Sequence, residues 1–114
     1  PQTDDMLKKL IDMRTRLGLY GLQLNYFFDA NEAVNPIFDL AIKLNYKRRL
    51  SQIYTIKGAY NFNIEVEILA AMQNYEKAFE ISEERNDPVS SVFVNLWWSV
   101  ALTFNCDFKK ASYH

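Results

Sequence analysis

Apolar residues recur from Met6 to Phe27 at Met6, Leu10, Met13, Leu17, Tyr20, Leu24 and Phe27, in steps that alternate between four and three. That alternation draws one stripe along an α-helix and does not suit a strand, whose faces alternate at every second residue. The charges agree: Asp4 with Lys8, Asp5 with Lys9 and Asp12 with Arg16 stand four apart, acid first. Each such pair supports a helix by about 0.2–0.5 kcal/mol. A first helix is expected from about Thr3 to Phe28. Its stripe is expected to face a core. The alternative is a heptad seam that pairs with a second copy or continues an upstream helix, although Gly18 and Gly21 weaken it as an isolated helix.

The same periodicity runs on. Asp29-Ala30-Asn31 reads as a turn, and a second helix holds Ile37, Phe38, Ala41 and Leu44. Asn35-Pro36 could open it as N-cap and first helical residue, since proline there loses no needed hydrogen bond; a start at Asn31 would leave Pro36 too deep. Asn45 closes this helix. A third is expected over about Tyr46 to Asn61 with Leu50, Ile53, Ile56 and Tyr60 on one side, and a break at Asn61-Phe62-Asn63. A fourth runs over about Ile64 to Arg85, with Ile68, Met72, Tyr75, Phe79 and Ser82 on its stripe and Glu76, Lys77, Glu80, Glu83 and Glu84 on a solvated face. Asp87 can cap a fifth helix that Pro88 begins. That helix reaches about Phe104, and its apolar residues surround so much of it that burial on more than one side is expected. Asn105-Cys106-Asp107 reads as a turn and Phe108 as the start of a sixth helix.

Three glycines and three prolines in 114 residues are few breaks, in keeping with long helices and an all-α fold. Thirteen basic and fourteen acidic residues give a net charge of −1, without the basic face of a nucleic-acid binder. No apolar run is long enough to span a membrane, and no nucleic acid or membrane partner is expected. Cys106 stands alone, so no disulfide forms within the chain, and a reducing, cytoplasmic setting is the expectation. The chain opens on Pro1 and stops within a helical pattern, which suggests a piece of a longer protein.

A helix, a tight turn and a second helix recur through the chain. Phe28-Asp29-Ala30-Asn31-Glu32-Ala33, Gln73-Asn74-Tyr75-Glu76-Lys77-Ala78-Phe79 and Asn105-Cys106-Asp107-Phe108-Lys109-Lys110-Ala111 share one plan and begin 45 and 32 residues apart, a mean spacing within roughly 37 to 41 residues. Ile56-Lys57-Gly58-Ala59-Tyr60 resembles the Leu-Gly-x-x-Tyr part of a tetratricopeptide first helix, with a shift, and Trp98-Ser99 stands in the Leu-Gly place of the last repeat. Tyr75-x-x-Ala78 resembles the second helix, and Cys106-Asp107-Phe108-Lys109-Lys110-Ala111 the Gly-x-Tyr-x-x-Ala turn, with cysteine in place of glycine. The chain thus resembles the tetratricopeptide family, of the long-period kind found in large bacterial signalling proteins; the family period is about 34 residues. The resemblance is best from Gln52 to Ala111, and in the first repeat only Gly21 and Ala33 match.

This resemblance implies one domain over residues 1–114: a right-handed superhelical stack of antiparallel helix hairpins, five to six helices, with repeats over about 4–45, 46–86 and 88–114, the last truncated. It implies a protein–protein interaction or scaffolding module of a larger signalling or regulatory protein. A structural spacer or homodimerisation domain is the alternative.

Such a stack has a concave face, which the approximate register assigns to Leu22, Asn25, Tyr26, Thr55, Ala59, Phe93, Leu96 and Val100. It lacks the lysines that grip a terminal carboxylate, so an apolar groove for a protein or peptide is the better expectation. Candidate partner-binding residues are Asn25, Tyr26, Tyr54, Phe93 and Leu96. An apolar patch at Val92, Trp97, Trp98 or Phe104, left by the incomplete last hairpin, is expected to be exposed or to dimerise; Trp97, Trp98 and Leu17 are the candidates for self-association. No catalytic constellation, cofactor loop or metal site is read: His114 is the one histidine, Cys106 has no histidine near it in sequence, and Glu65, Glu67, Glu83 and Glu84 have no reason to be buried. Lys47-Arg48-Arg49 is expected to be solvated charge at a helix junction.

Overall fold

Three of the four helix junctions close on an asparagine. Asn25, Asn45 and Asn86 take the left-handed conformation, with φ of 62°, 52° and 53°, which asparagine tolerates better than most side chains. At each junction the two amides that follow the last helical turn fold back on it: Asn25 to the Leu22 carbonyl and Tyr26 to Gly21, Asn45 to Ile42 and Tyr46 to Ala41, Asn86 to Glu83 and Asp87 to Ser82, all at 2.8–3.1 Å. This is the Schellman closure, which satisfies carbonyls that a helix end otherwise leaves free.

The computed structural model describes the backbone of residues 3–112 and the side chains of residues 3–103. The described residues form an all-α chain: α1 (Asp4–Gln23), α2 (Phe27–Lys43), α3 (Lys47–Tyr60), a π-helical turn (Asn61–Glu65), α4 (Ile68–Glu84) and α5 (Pro88–Ser112). Thr3 caps α1 by accepting from the Met6 amide, and Asp87 caps α5 by accepting from the Ser90 amide and hydroxyl. The expected start at Pro88 therefore holds.

Several expected boundaries move. The first turn lies at Leu24-Asn25-Tyr26, not at Asp29–Asn31, and residues 29–31 are helical. Pro36 sits deep inside α2 rather than at its start. There it removes the amide that would have bonded to the Glu32 carbonyl. Arg14 of α1 fills the gap, donating from Nη2 to the Glu32 carbonyl at 3.3 Å and from Nε to the Ala33 carbonyl at 2.6 Å. α4 begins at Ile68 rather than Ile64, because the π turn and Val66 intervene. Val66, with φ of 55°, is a β-branched residue in the left-handed region. No turn interrupts α5 at Asn105–Asp107: without glycine or proline there the backbone stays helical, and no sixth helix starts at Phe108.

α1 packs on α2 and α3, α3 also packs on α2, α4 and α5, and α4 packs on α5. The larger core holds Ile11, Leu22, Val34, Ile37, Leu50, Ile53 and Ile56; a second centres on Ala71, Tyr75, Ala78, Val94 and Ala101. Tyr54 and Trp97 pack against both. Close approach is set by two glycines. A Cβ on Gly58 would fall 2.8 Å from Tyr75 Cε1, and one on Gly18 would fall 2.9 Å from both Val34 Cγ1 and Ile56 Cδ1.

The stripe on α1 faces the other way from the expectation. Met6, Met13, Leu17, Tyr20 and Leu24 are all more than half exposed, whereas Ile11, Thr15, Gly18 and Leu22 form the buried line. Small residues win the inner side because they let α2 and α3 approach. Phe27, the last member of the expected stripe, belongs to α2. The stripes expected for α3 and α4 do face the core, and the acidic face of α4 is exposed. α5 buries Val94 and Ala101 but leaves Val89, Val92, Leu96 and Val100 exposed, so it is covered on one side only.

Candidate partner-binding surfaces

Two exposed apolar faces stand out, each on a helix whose opposite side is core. On α1 the exposed side chains repeat with the four–three step, so they line the helix for most of its length. Met13, Leu17 and Tyr20 floor an open depression of ≈ 590 Å³, edged by Lys9, Asp12, Arg14 and Arg16. On α5 the exposed face consists of Val89, Val92, Leu96 and Val100, and no charged residue occurs in the sequence from Pro88 to Cys106. Of the residues expected in an exposed patch here, Val92 lies on this face, whereas Trp97 and Trp98 do not.

The remaining sequence-based candidates divide between surface and core. Asn25 is a turn residue, and its left-handed backbone is sufficient reason for its identity. Tyr26 and Leu96 are exposed. Phe93 is half-buried against the larger core. Tyr54 meets Phe38 edge to face at 5.4 Å. It borders a depression of ≈ 330 Å³ in which Lys47, Lys77, Glu80 and Glu84 stand beside Ile42, Leu50 and Ile81, so the surface there is mixed rather than an apolar groove. Trp97 lies edge-on to Phe27 at 5.8 Å; Trp98 lies edge-on to Phe79 at 6.1 Å and its indole N–H donates to Met72 Sδ at 3.2 Å. Both tryptophans are half-buried helix-packing residues, whereas Leu17 is more than half exposed. Leu22, Thr55 and Ala59, assigned above to a concave face, are buried in the core. Cys106, His114 and the side chain of Phe104 lie outside the described residues.

The basic cluster at the start of α3 is not simply solvated. Arg49 is buried, and its Nε donates to Asp12 Oδ1 at 2.7 Å while Nη1 donates to Gln52 at 2.9 Å. The Tyr46 hydroxyl donates to the same Asp12 oxygen at 2.8 Å, and Lys8 stands over the Tyr46 ring. Burial raises the Asp12 carboxyl, but hydrogen bonds from Arg49 and Tyr46 outweigh it and hold the group below its ordinary range. Lys47 pairs with Glu84 at 3.0 Å and Arg48 is exposed. Lys57 donates to Asn35 and sits 4.6 Å from the Phe38 ring centroid; burial pushes its ammonium down, against the pull of Asp39 and Glu65. The buried Tyr75 hydroxyl is pushed up by desolvation.

Among the described residues no three or more of His, Cys, Asp and Glu come together as a metal site, and no helix is long and apolar enough to cross a membrane. The arrangement offers apolar contact area with a charged margin. The chain matches no family model, no curated protein and no solved structure.

Proposed function

We propose that this chain is a protein–protein interaction or scaffolding module, without a reaction of its own, that engages partners through the exposed faces of its terminal helices. The observation that carries this reading is the double character of α1 and α5. Each buries one side in the stack and presents an apolar row on the other, a pattern that marks interaction sites more often than bare surface. A tetratricopeptide-like stack is the architecture that best accommodates it. In support, odd-numbered helices touch in sequence, α1 with α3 and α3 with α5, while each pairs with its even-numbered neighbour. Gly18 against Val34 and Gly58 against Tyr75 supply the small-to-large fit that joins first to second helices. Placement within a larger, bacterial signalling protein of the cytoplasm rests on the sequence resemblance.

Affinity capture by the 114-residue chain, followed by cross-linking and mass spectrometry, tests the reading. Partner cross-links are expected beside α1 or α5, with capture lost in the double variant Leu17→Glu, Leu96→Glu. Capture that survives this variant, with cross-links on the α2 or α4 surface, would refute it. The second reading, a homodimerisation element, is favoured by the exposure of Leu17. Sedimentation would support it if the chain associated and Leu17→Glu returned it to monomer.

A further inference from the structure

We infer that the exposed face of α1 takes an amphipathic helix with acidic flanks, supplied by another protein rather than by a second copy of this chain. The inference rests on the interaction-module reading and assigns one of its faces. The row has coiled-coil spacing: Leu10, Leu17 and Leu24 take the a positions and Met6, Met13 and Tyr20 the d positions. Leu10 is half-buried against the core, but Met6, Met13, Leu17, Tyr20 and Leu24, all more than half exposed, are knobs without holes, and a helix laid along them supplies the holes. The side chains at the g positions are Lys9, Arg16 and Gln23, all exposed. At the e positions, Leu7, Arg14 and Gly21 turn towards α2, where Arg14 is held by the carbonyls of Glu32 and Ala33.

Charge decides the occupant. In a parallel pair of two copies, g positions face e positions, where Leu7, Arg14 and Gly21 of the other copy offer Lys9 and Arg16 no carboxylate. In an antiparallel pair, g faces g, which sets Lys9 and Arg16 against their own kind. Neither orientation gives Lys9 or Arg16 a counter-charge, the antiparallel one sets like charges face to face, and like charges across an interface select against that partner. The carboxylates nearby do not cancel this. Asp12 is already engaged by Arg49 and Tyr46, and Asp5 stands one position farther round the helix, at c. Among the described residues Lys9 and Arg16 make no ion pair, although Arg16 adds to the field that lowers Asp12. A partner helix with Glu or Asp at its flanking positions would meet both.

Two synthetic helices of about three heptads test this, each with leucine at a and d. One carries glutamate at e and g, the other lysine, and binding to the 114-residue chain is read by fluorescence anisotropy. The glutamate peptide is expected to bind at least about tenfold more tightly, the gap closing as salt shortens the reach of exposed charges. Lys9→Glu with Arg16→Glu should reverse the preference, and Leu17→Glu should weaken both peptides, with helicity by circular dichroism unchanged. Equal affinities overturn the inference, as does binding of neither peptide. So does a dimer that Leu17→Glu dissociates, since the second copy would then be the occupant. If capture of a partner through α5 persists in any of these cases, only the present inference falls; if it is lost too, the interaction-module reading falls with it.

Discussion

Arg14 supplies to the Glu32 carbonyl the hydrogen bond that Pro36, four residues further along α2, cannot give. The guanidinium reaches across from α1 and also holds the next carbonyl, at Ala33. A proline in a helix interior ordinarily destabilises it by about 3 kcal/mol, partly through the freed acceptor. Arg14→Ala is therefore expected to lower stability by about 1.5–3 kcal/mol, the range for a hydrogen bond from a charged donor. In a Pro36→Ala background the Glu32 carbonyl regains its helical donor, and the loss should shrink by about 1 kcal/mol. Urea denaturation of the four proteins measures the coupling; equal losses in both backgrounds would refute it.

Gly58→Ala puts a methyl group into the Tyr75 ring. Helix propensity favours alanine by up to about 1 kcal/mol, but overpacking of a close helix contact costs about 1–3 kcal/mol. Net destabilisation is expected, with relief when Tyr75→Leu removes the ring edge. A more stable Gly58→Ala protein would show that α3 and α4 are not in this contact.

Val66 closes the π turn in a strained backbone conformation that its own side chain, 70 % exposed, does little to offset. A left-handed conformation costs an L-residue about 1–2 kcal/mol. Val66→Asn, which installs the residue used at the other three junctions, should raise stability by about 1 kcal/mol and the melting temperature by roughly 4 °C. An unchanged or lower melting temperature would count against the turn as described.

The pair of Asp12 and Arg49 ties α1 to α3 and makes stability depend on acid. Because the folded Asp12 pKa is depressed, its contribution is fully present above the ordinary carboxylate range and is lost as pH falls through the lower folded value. Asp12→Asn should leave the buried Arg49 without its counter-charge, lowering stability at neutral pH by about 3 kcal/mol. It should also flatten the loss between about pH 5 and pH 2. Asp87, likewise depressed by its hydrogen bonds from Ser90, keeps some acid dependence in the variant. Chemical denaturation across that range separates the two.

Helix number and type were largely legible in the sequence, because periodicity and capping residues act locally. Leu24-Asn25-Tyr26 and Leu44-Asn45-Tyr46 are the same tripeptide, and both form the same turn. The first is masked in the sequence because Phe27 prolongs the apolar stripe across it. The direction of that stripe was not legible: Thr15 and Gly18 are buried for their size, and no hydrophobicity pattern ranks them above leucine. Nor was the place of Pro36, since its remedy comes from Arg14, far off in sequence. Leu17 and Leu96 lie on the surface, whereas Trp97 and Trp98, expected in an uncovered apolar patch, pack between helices because their rings meet Phe27 and Phe79.

Tyr54 and Trp97 each belong to both halves of the interior. Helices packed in series are free in principle to peel away from one end, pair after pair. Side chains that serve as a common wall make such peeling expose both interiors at once. Loss of helix, followed by far-ultraviolet circular dichroism, and loosening around the tryptophans, followed by fluorescence, should therefore coincide in one transition. Trp97→Ala should split them, leaving α5 to melt ahead of the helices before it.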